Sequence, residues 1–453
     1  MPSTEAPTGQ PPPVKKREIF GWAMYDFANS SYTTVVITVI YSAFFVEQIV
    51  PKGSEARDTY WSIAIAASAV LALLLSPLVG AICDYGGGKK RYLAVTTLFC
   101  AGATMALYLV DPGGVWPAVA LITISNAAFM IGEAFCGSFL TDLATKKTMG
   151  MISGLGWGLG YFGGLASLVL VLGTITVEPG EDLATHVAQN QLAMVLIGAF
   201  FLLAALPTFL LVRERSKPAP GFEGASYLRL ARAGLAETAS TFRLARQYPV
   251  LFKFFLAFTV YMAGLEVVMK FVGIYATDEL AMTQGDLTVM FIIIQISAAS
   301  GALGFGLLER KLGAKATVMA TIIWWMVGIL GIYFLQALAD LTGLTLVQVF
   351  FGVSLIAGAG IGSIQSSSRT VVGLLSPAER SAQMFGFWGM FGKIAIILGM
   401  AFGPVSDLFG RREAMLLVLG FFAVGGLLLW RVPISDGIRA AEEADEAAKR
   451  AAG

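Results

Sequence analysis

Five charged residues stand inside stretches of sequence that are otherwise apolar: Asp26, Glu133, Glu266, Lys270 and Lys393. A charge at mid-membrane in an apolar helix costs several kcal/mol, about 2.5–3.5 kcal/mol on insertion scales. Such side chains face a partner or a water-filled cavity, so each is a candidate for binding a solute or moving a proton. Glu266 and Lys270 are four residues apart, and can either neutralise each other on one helix face or serve a cavity. Lys393 has no acidic residue in its own segment. It needs a partner from elsewhere or a hydrated site, where it can hold a carboxylate or phosphate or alternate between acidic partners. Asp26 is the candidate for coupling. Opening to one side and then the other changes both its hydration and its distance from cations, which ties proton binding to conformation. Asn29 and Tyr32 extend the polar stripe along the same face. A purely structural role, with Asp26 tying its helix to a neighbour, fits these residues equally well.

The elements that carry these residues follow from composition. The chain has 453 residues, of which 56% are hydrophobic and 13% charged, and a mean hydropathy of +0.73. A soluble domain carries about 25% charged residues. A chain this long and this poor in charge cannot clothe itself in a polar surface, so the class is an all-α integral membrane protein. The net charge of +1 gives no reason to expect a nucleic-acid partner. Cys83, Cys100 and Cys136 fall in or beside apolar runs and read as small buried hydrophobes, without metal spacing. The single histidine, His186, reads as a loop residue, which excludes a histidine relay inside the membrane. No nucleophile–base set, metal cluster or nucleotide-binding motif is apparent. The expectation is therefore no enzyme, no cofactor, no metal and no drive by ATP hydrolysis.

Spans of ~20 mostly apolar residues occur at about 19–47, 60–83, 91–110, 115–139, 149–173 and 190–212, then at about 249–276, 286–308, 315–336, 343–366, 382–405 and 412–432. Twelve spans are thus expected, in two six-helix halves covering 19–212 and 249–432. A proline-rich tail (1–18) precedes them and a charged tail (433–453) follows. The linker 213–248 carries a basic amphipathic helix, with Leu228, Leu235 and Phe242 at sevenfold spacing among Arg229, Arg232, Arg243 and Arg246. Lys and Arg concentrate in alternate loops, from Lys15–Arg17 and Lys89–Arg91 to Arg310, Lys311 and Lys315. That side is expected to be cytoplasmic, with both termini on it. Lys52, Arg57, Arg411 and Arg412 are exceptions on the opposite side.

The loop after the second span reads GAICDYGGGKKR, and the loop after the eighth reads GFGLLERKLGAK. Similar words at corresponding places in two halves mark a duplicated transporter. The first loop fits G-x-x-x-D-x-x-G-x-[KR], a pattern of the major facilitator superfamily. Its Asp84, Gly87, Lys89 and Lys90 suggest a gate: Asp84 can pair with a helix N-terminus or a cation of the other half in one conformation only. An ordinary polar turn is the plainer alternative. Tyr85 stands where that pattern usually has a basic residue. Trp157 and Tyr161 share a face of the fifth span and can contact a substrate, whereas its glycines read as packing residues. Gln365 and Arg369 present polar groups at the inner mouth of the tenth span, or anchor it at the interface.

Four stretches, GWAMYDFANSSY, ISGLGWGLGYFGG, GSIQSSSRT and MFGFWGMFGK, together with the loop motif, resemble one branch of that superfamily. It is the "unknown major facilitator" group, related to autophagy-associated vacuolar amino-acid effluxers. The resemblance spans nearly the whole membrane region. It implies a twelve-helix fold with a central cavity lined by helices 1, 4, 7 and 10, working by alternating access. It places Asp26 and Asn29 in the family's first word, Gln365 and Arg369 in its helix-10 word and Lys393 in its helix-11 word. The stretch YMAGLEVVMK departs from the family pattern at Met262 and Ala263 and adds Glu266 and Lys270. The function expected is a monomeric secondary transporter in the inner (plasma) membrane. It would move a small polar or charged solute such as an amino acid, with coupling to protons and membrane lipids as its surroundings. A lipid or amphiphile translocase of the same fold is the alternative.

Overall fold

The computed structural model describes residues 14–452 except 145–148, 178–179, 216–220, 222–223, 227–228, 231, 233–247 and 378–380. The side chains at 77–85 are also outside it. The proline-rich tail up to residue 13 and most of the linker helix expected around Leu235 and Phe242 therefore lie outside the described residues.

Among the described residues, twelve long helices cross the molecule. In the first half they are α1 (Lys16–Ile49), α2 (Arg57–Gly86), α3 (Lys89–Ala106), α4 (Val115–Ser138), α5 (Met149–Leu172) and α6 (Leu183–Leu211). In the second half they are α7 (Pro249–Asp278), α8 (Gln284–Leu312), α9 (Ala314–Tyr333), α10 (Leu346–Leu375), α11 (Ser381–Gly399) and α12 (Arg411–Trp430). An amphipathic helix, α13 (Ile434–Ala452), follows. Among the described residues, eleven helices are long and apolar enough to cross a membrane, and in α8 the apolar part is the shorter Gly285–Ala298. Helices suit this environment because every backbone polar group in hydrocarbon must be satisfied within its own segment. α1 is irregular, with π-helical turns at Tyr32–Val39 and Phe45–Ile49 on either side of a kink at Ile40.

The expectation for α6 requires correction. The helix starts at Leu183, not near residue 190, and His186 lies in its first turns rather than in a loop. Asp182 caps it by accepting from the Ala184 and Thr185 amides. The buried imidazole donates from Nδ1 to the Val177 carbonyl at 2.6 Å and accepts from the Asn190 amide at 3.1 Å. These bonds let a polar sequence run as helix. α10 likewise runs on to Leu375, nine residues beyond the expected end at 366.

The two halves repeat one another in their packing. α1 packs on α5 and α6, α2 on α4, and α3 on α4 and α6. α7 packs on α11 and α12, α8 on α10, and α9 on α10 and α12. Adding six to every index of the first set gives the second. Glycines make these approaches possible. A methyl built at Gly163 in α5 would overlap the Phe27 backbone of α1, and at Gly399 in α11 it would lie 2.7 Å from the Ala263 carbonyl of α7. α13 closes the second half, with Gly437 against Val250 and Leu375 at the adjoining ends of α7 and α10.

Gly163→Ala tests the α1–α5 contact. The obstacle is backbone and cannot rotate away, so the expected cost is about 1–3 kcal/mol, as for other overpacked sites. It should appear as a lowered thermal midpoint in detergent. Gly158→Ala, where nothing lies within 4 Å, should leave that midpoint unchanged.

Candidate functional site

Charges from both halves converge on Glu133 of α4. Its carboxylate lies in the field of Lys393 on α11, Lys270 and Glu266 on α7, and Arg369 on α10, with Lys393 the strongest. Arg369, Lys393 and Asp26 each feel Glu133 in return. Glu133 and Arg369 are solvent-exposed, and Asp26 and Lys393 half-buried, although all four belong to membrane-spanning helices. Accessible charges that feel one another across the two bundles mark a cavity between them, and access to water is the condition an intramembrane charge requires.

Within that cavity the groups differ in what they hold. Glu266 and Lys270 form an ion pair at 3.1 Å on one face of α7, so the local pairing expected from their spacing is present. Arg369 lies over the Trp388 ring at 5.5 Å. Among the described residues, Asp26, Glu133, Gln365 and Lys393 have no hydrogen bond or ion pair. Asp26 rests on α5, since a methyl at Gly156 would collide with its Oδ2 and lie 3.1 Å from the Trp22 ring. Trp157, 47% exposed, and half-buried Tyr161 stand together on α5 with ring centroids 6.5 Å apart.

Asn29 and Tyr32 are not brought to this cavity. The Tyr32 hydroxyl pairs with Ser125 on α4 at 2.8 Å, and its ring stacks on Phe129. Asn29 is buried, and its Oδ1 has no partner among the described residues. The polar stripe of α1 thus divides, with Asp26 on the cavity and the other two inside the first half.

The loop motif is pinned within its own half. Gly87 and Gly88 adopt φ of +69° and +80°, a conformation that glycine takes without steric cost. Lys89 pairs with Asp142 at 3.0 Å, and Lys90 donates to the Val212 carbonyl at 2.7 Å. The Asp84 side chain lies outside the described residues.

The contacts between halves gather at the other end of the molecule. Arg411 on α12 makes a two-pronged pair with Asp58 on α2, both bonds at 2.8 Å. It also pairs with Asp278 and with Glu279, the latter at 3.1 Å. Arg57 adds a bridge to Asp278 at 3.3 Å, and Trp61 donates to the Lys270 carbonyl at 3.1 Å. The backbone of α7 at Gly273 lies against the carbonyls of Thr38 and Val39 in α1. Among the described residues, every hydrogen bond and ion pair joining the halves lies at this far end. At the end carrying the termini, polar partners are intra-half, as in Glu18–Arg215 at 2.6 Å and Ser367–Glu309 at 2.6 Å. Among the described residues, the halves are thus tied together at the far end and joined by no polar contact at the termini end. Sequence reasoning missed this closure, although Arg57 and Arg411 were its visible signal as cations on the otherwise acidic side.

A family model described as "Vacuole effluxer Atg22 like" matches residues 56–442. The chain belongs to the Atg22-like family. It is 28% identical to the uncharacterized MFS-type transporter YxiO of Bacillus subtilis (strain 168), over 91% of this chain and 94% of that one. It is 23% identical to autophagy-related protein 22 of Pichia angusta, over 83% and 74%. In structure it is similar to the nucleoside transporter NupG, with a TM-score of 0.69 and 15% identity over 92% of this chain and 100% of that chain. This Atg22-like chain has the major facilitator fold, and is a membrane transporter rather than an enzyme.

Arg411→Gln tests the closed end. It strands the Asp58 carboxylate, whose residue is 1% exposed, and losing one partner of a buried ion pair costs about 3–5 kcal/mol. The far end should open, so that a cysteine placed at buried Ser62 becomes reactive to a membrane-impermeant maleimide. The same cysteine should stay protected when Arg411 is intact.

Proposed function

We propose that this Atg22-like protein is a secondary active transporter of a small solute carrying both charges, such as an amino acid, moved by alternating access and coupled to protons. The observation that carries this reading is the set of unpaired charges from both halves facing one open cavity. Lys393 and Arg369 suit a carboxylate on the solute, and Glu133 and Asp26 suit an ammonium group or a proton. Trp157 and Tyr161 offer an apolar wall. Glu266 and Lys270, already paired, shape the inner cavity and exchange partners when the solute enters.

Lys89, Lys90, Arg213 and Arg215 sit at the termini end. By the positive-inside rule that end is cytoplasmic, so the described state is inward-facing. The membrane is then the plasma membrane, in line with a bacterial relative that matches along almost its full length. The second reading, a lipid or amphiphile translocase, draws on an apolar crevice of about 20 Å³ lined by residues that include Phe271, Tyr275, Phe350 and Met415. A crevice of that size holds about one water, so it would have to widen to take an acyl chain, and it offers a headgroup no charge of its own.

Thermal-shift screening separates the two. A solute that binds the folded state raises its midpoint by mass action. Zwitterionic amino acids are expected to raise the midpoint of the wild type and not that of Lys393→Gln. In proteoliposomes, an imposed pH gradient should drive uptake in the wild type and not in Asp26→Asn. Stabilisation by lipids alone, with transport by Asp26→Asn unchanged in its pH dependence, would favour the translocase.

A further inference from the structure

The start of α2 has no cap of its own. The residue before Arg57 is Ala56, which has no side-chain oxygen. A side chain with an oxygen at that position can accept from the second or third amide of the first turn. α8 and α10 follow this rule with Thr283 and Thr345. In α2 both amides donate instead to the other half of the molecule. The Asp58 amide reaches Asp407 Oδ1 at 3.0 Å and the Thr59 amide reaches Oδ2 at 2.7 Å.

Asp407 belongs to a short helix, Phe402–Phe409, that continues α11 beyond a break after Gly399. Its neighbours fix it there. Ser406 donates to Asp58 Oδ2 at 2.7 Å. Gly403 lies so close to the Asp58 carbonyl and the Ser62 hydroxyl that a methyl would collide with both. The carboxylate also meets the positive end of the α2 dipole, an attraction that fades within one turn. A cap supplied from another domain therefore acts only while the two domains touch.

We propose that Asp407 is a cap in trans that holds the far end shut. Asp407, beyond the far end of α11, caps α2 in the described state. The cap exists only while the two halves touch there. Opening the far end releases the α2 amides to water, which satisfies them without favouring either half. This inference rests on the alternating-access reading above.

The test is a distance measurement by pulsed electron paramagnetic resonance. Spin labels go at Glu55 and Leu341, both exposed at the far end and one in each half. The wild type should give one short distance. Asp407→Ala should add a longer one, with the open-to-shut ratio raised about fivefold, the size expected for loss of one cap. Asp407→Leu, which has a similar branched shape and no acceptor, should do the same if the alanine variant folds poorly. Ala56→Asp added to Asp407→Ala gives α2 a cap of its own. It should restore the thermal midpoint while leaving the longer distance in place. A wild-type distribution in both Asp407 variants overturns the proposal, and so does removal of the long component by Ala56→Asp. Arg411→Gln distinguishes the levels of failure. If it lengthens the distance while the Asp407 variants do not, the trans cap alone is refuted. If none of them does, alternating access at this end is refuted with it.

Discussion

An ionised side chain inside a bilayer needs water or a counter-charge, and this one constraint organises the molecule. Asp26, Glu133, Arg369 and Lys393 each lie on a different spanning helix. None of them can be left against hydrocarbon, where the penalty is several kcal/mol each. They are accommodated together by leaving a hydrated gap between two bundles and turning all four toward it. The apolar surface, the glycine-mediated packing within each half and the shut far end then follow as conditions for keeping that gap open on one side.

The two ends solve opposite problems with the same chemistry. The far end concentrates charge where the halves meet, so closure there depends on ion pairs and helix-end bonds whose geometry is lost over a short separation. Arg411 is the centre, gathering carboxylates from α2 and from the end of α7. At the termini end, among the described residues, ion pairs lie within one half, as between Lys89 and Asp142 and between Arg215 and Glu18. Separation there breaks neither of them. The described state thus has its polar cohesion at one end and its polar independence at the other.

The twelve helices and the cavity charges were legible in the sequence because both produce local signals. An apolar run has a length, and a charge within it is conspicuous. The failures came where polarity was satisfied by contacts that leave no local trace. The stretch from His186 to Asn190 looked like a loop, yet its side chains bond to one another and to Val177. The hydroxyls near the end of α10 looked like a helix terminus. Ser363 and Ser368 instead bond back to carbonyls one turn earlier, which hides their polarity inside the helix. Asn29 and Tyr32 share a stripe with Asp26 by spacing, but on a regular helix an i, i+3, i+6 set drifts by about 60° per step, which turns Tyr32 about 120° away from Asp26 and into the first half. Arg57 and Arg411 were visible as exceptions to a charge rule, and only the fold brought their acidic partners to them.

The π-helical segments of α1 have a mechanical consequence. In such turns the backbone bond spans five residues rather than four. A one-bond slip lets the helix take up or release a residue while its donors stay satisfied, as the bilayer demands. Each slip turns one part of the helix against the other by about 100°. The helix that carries Asp26 can therefore be screwed as well as tilted. Its carboxylate can exchange one set of neighbours for another without moving far along the membrane normal.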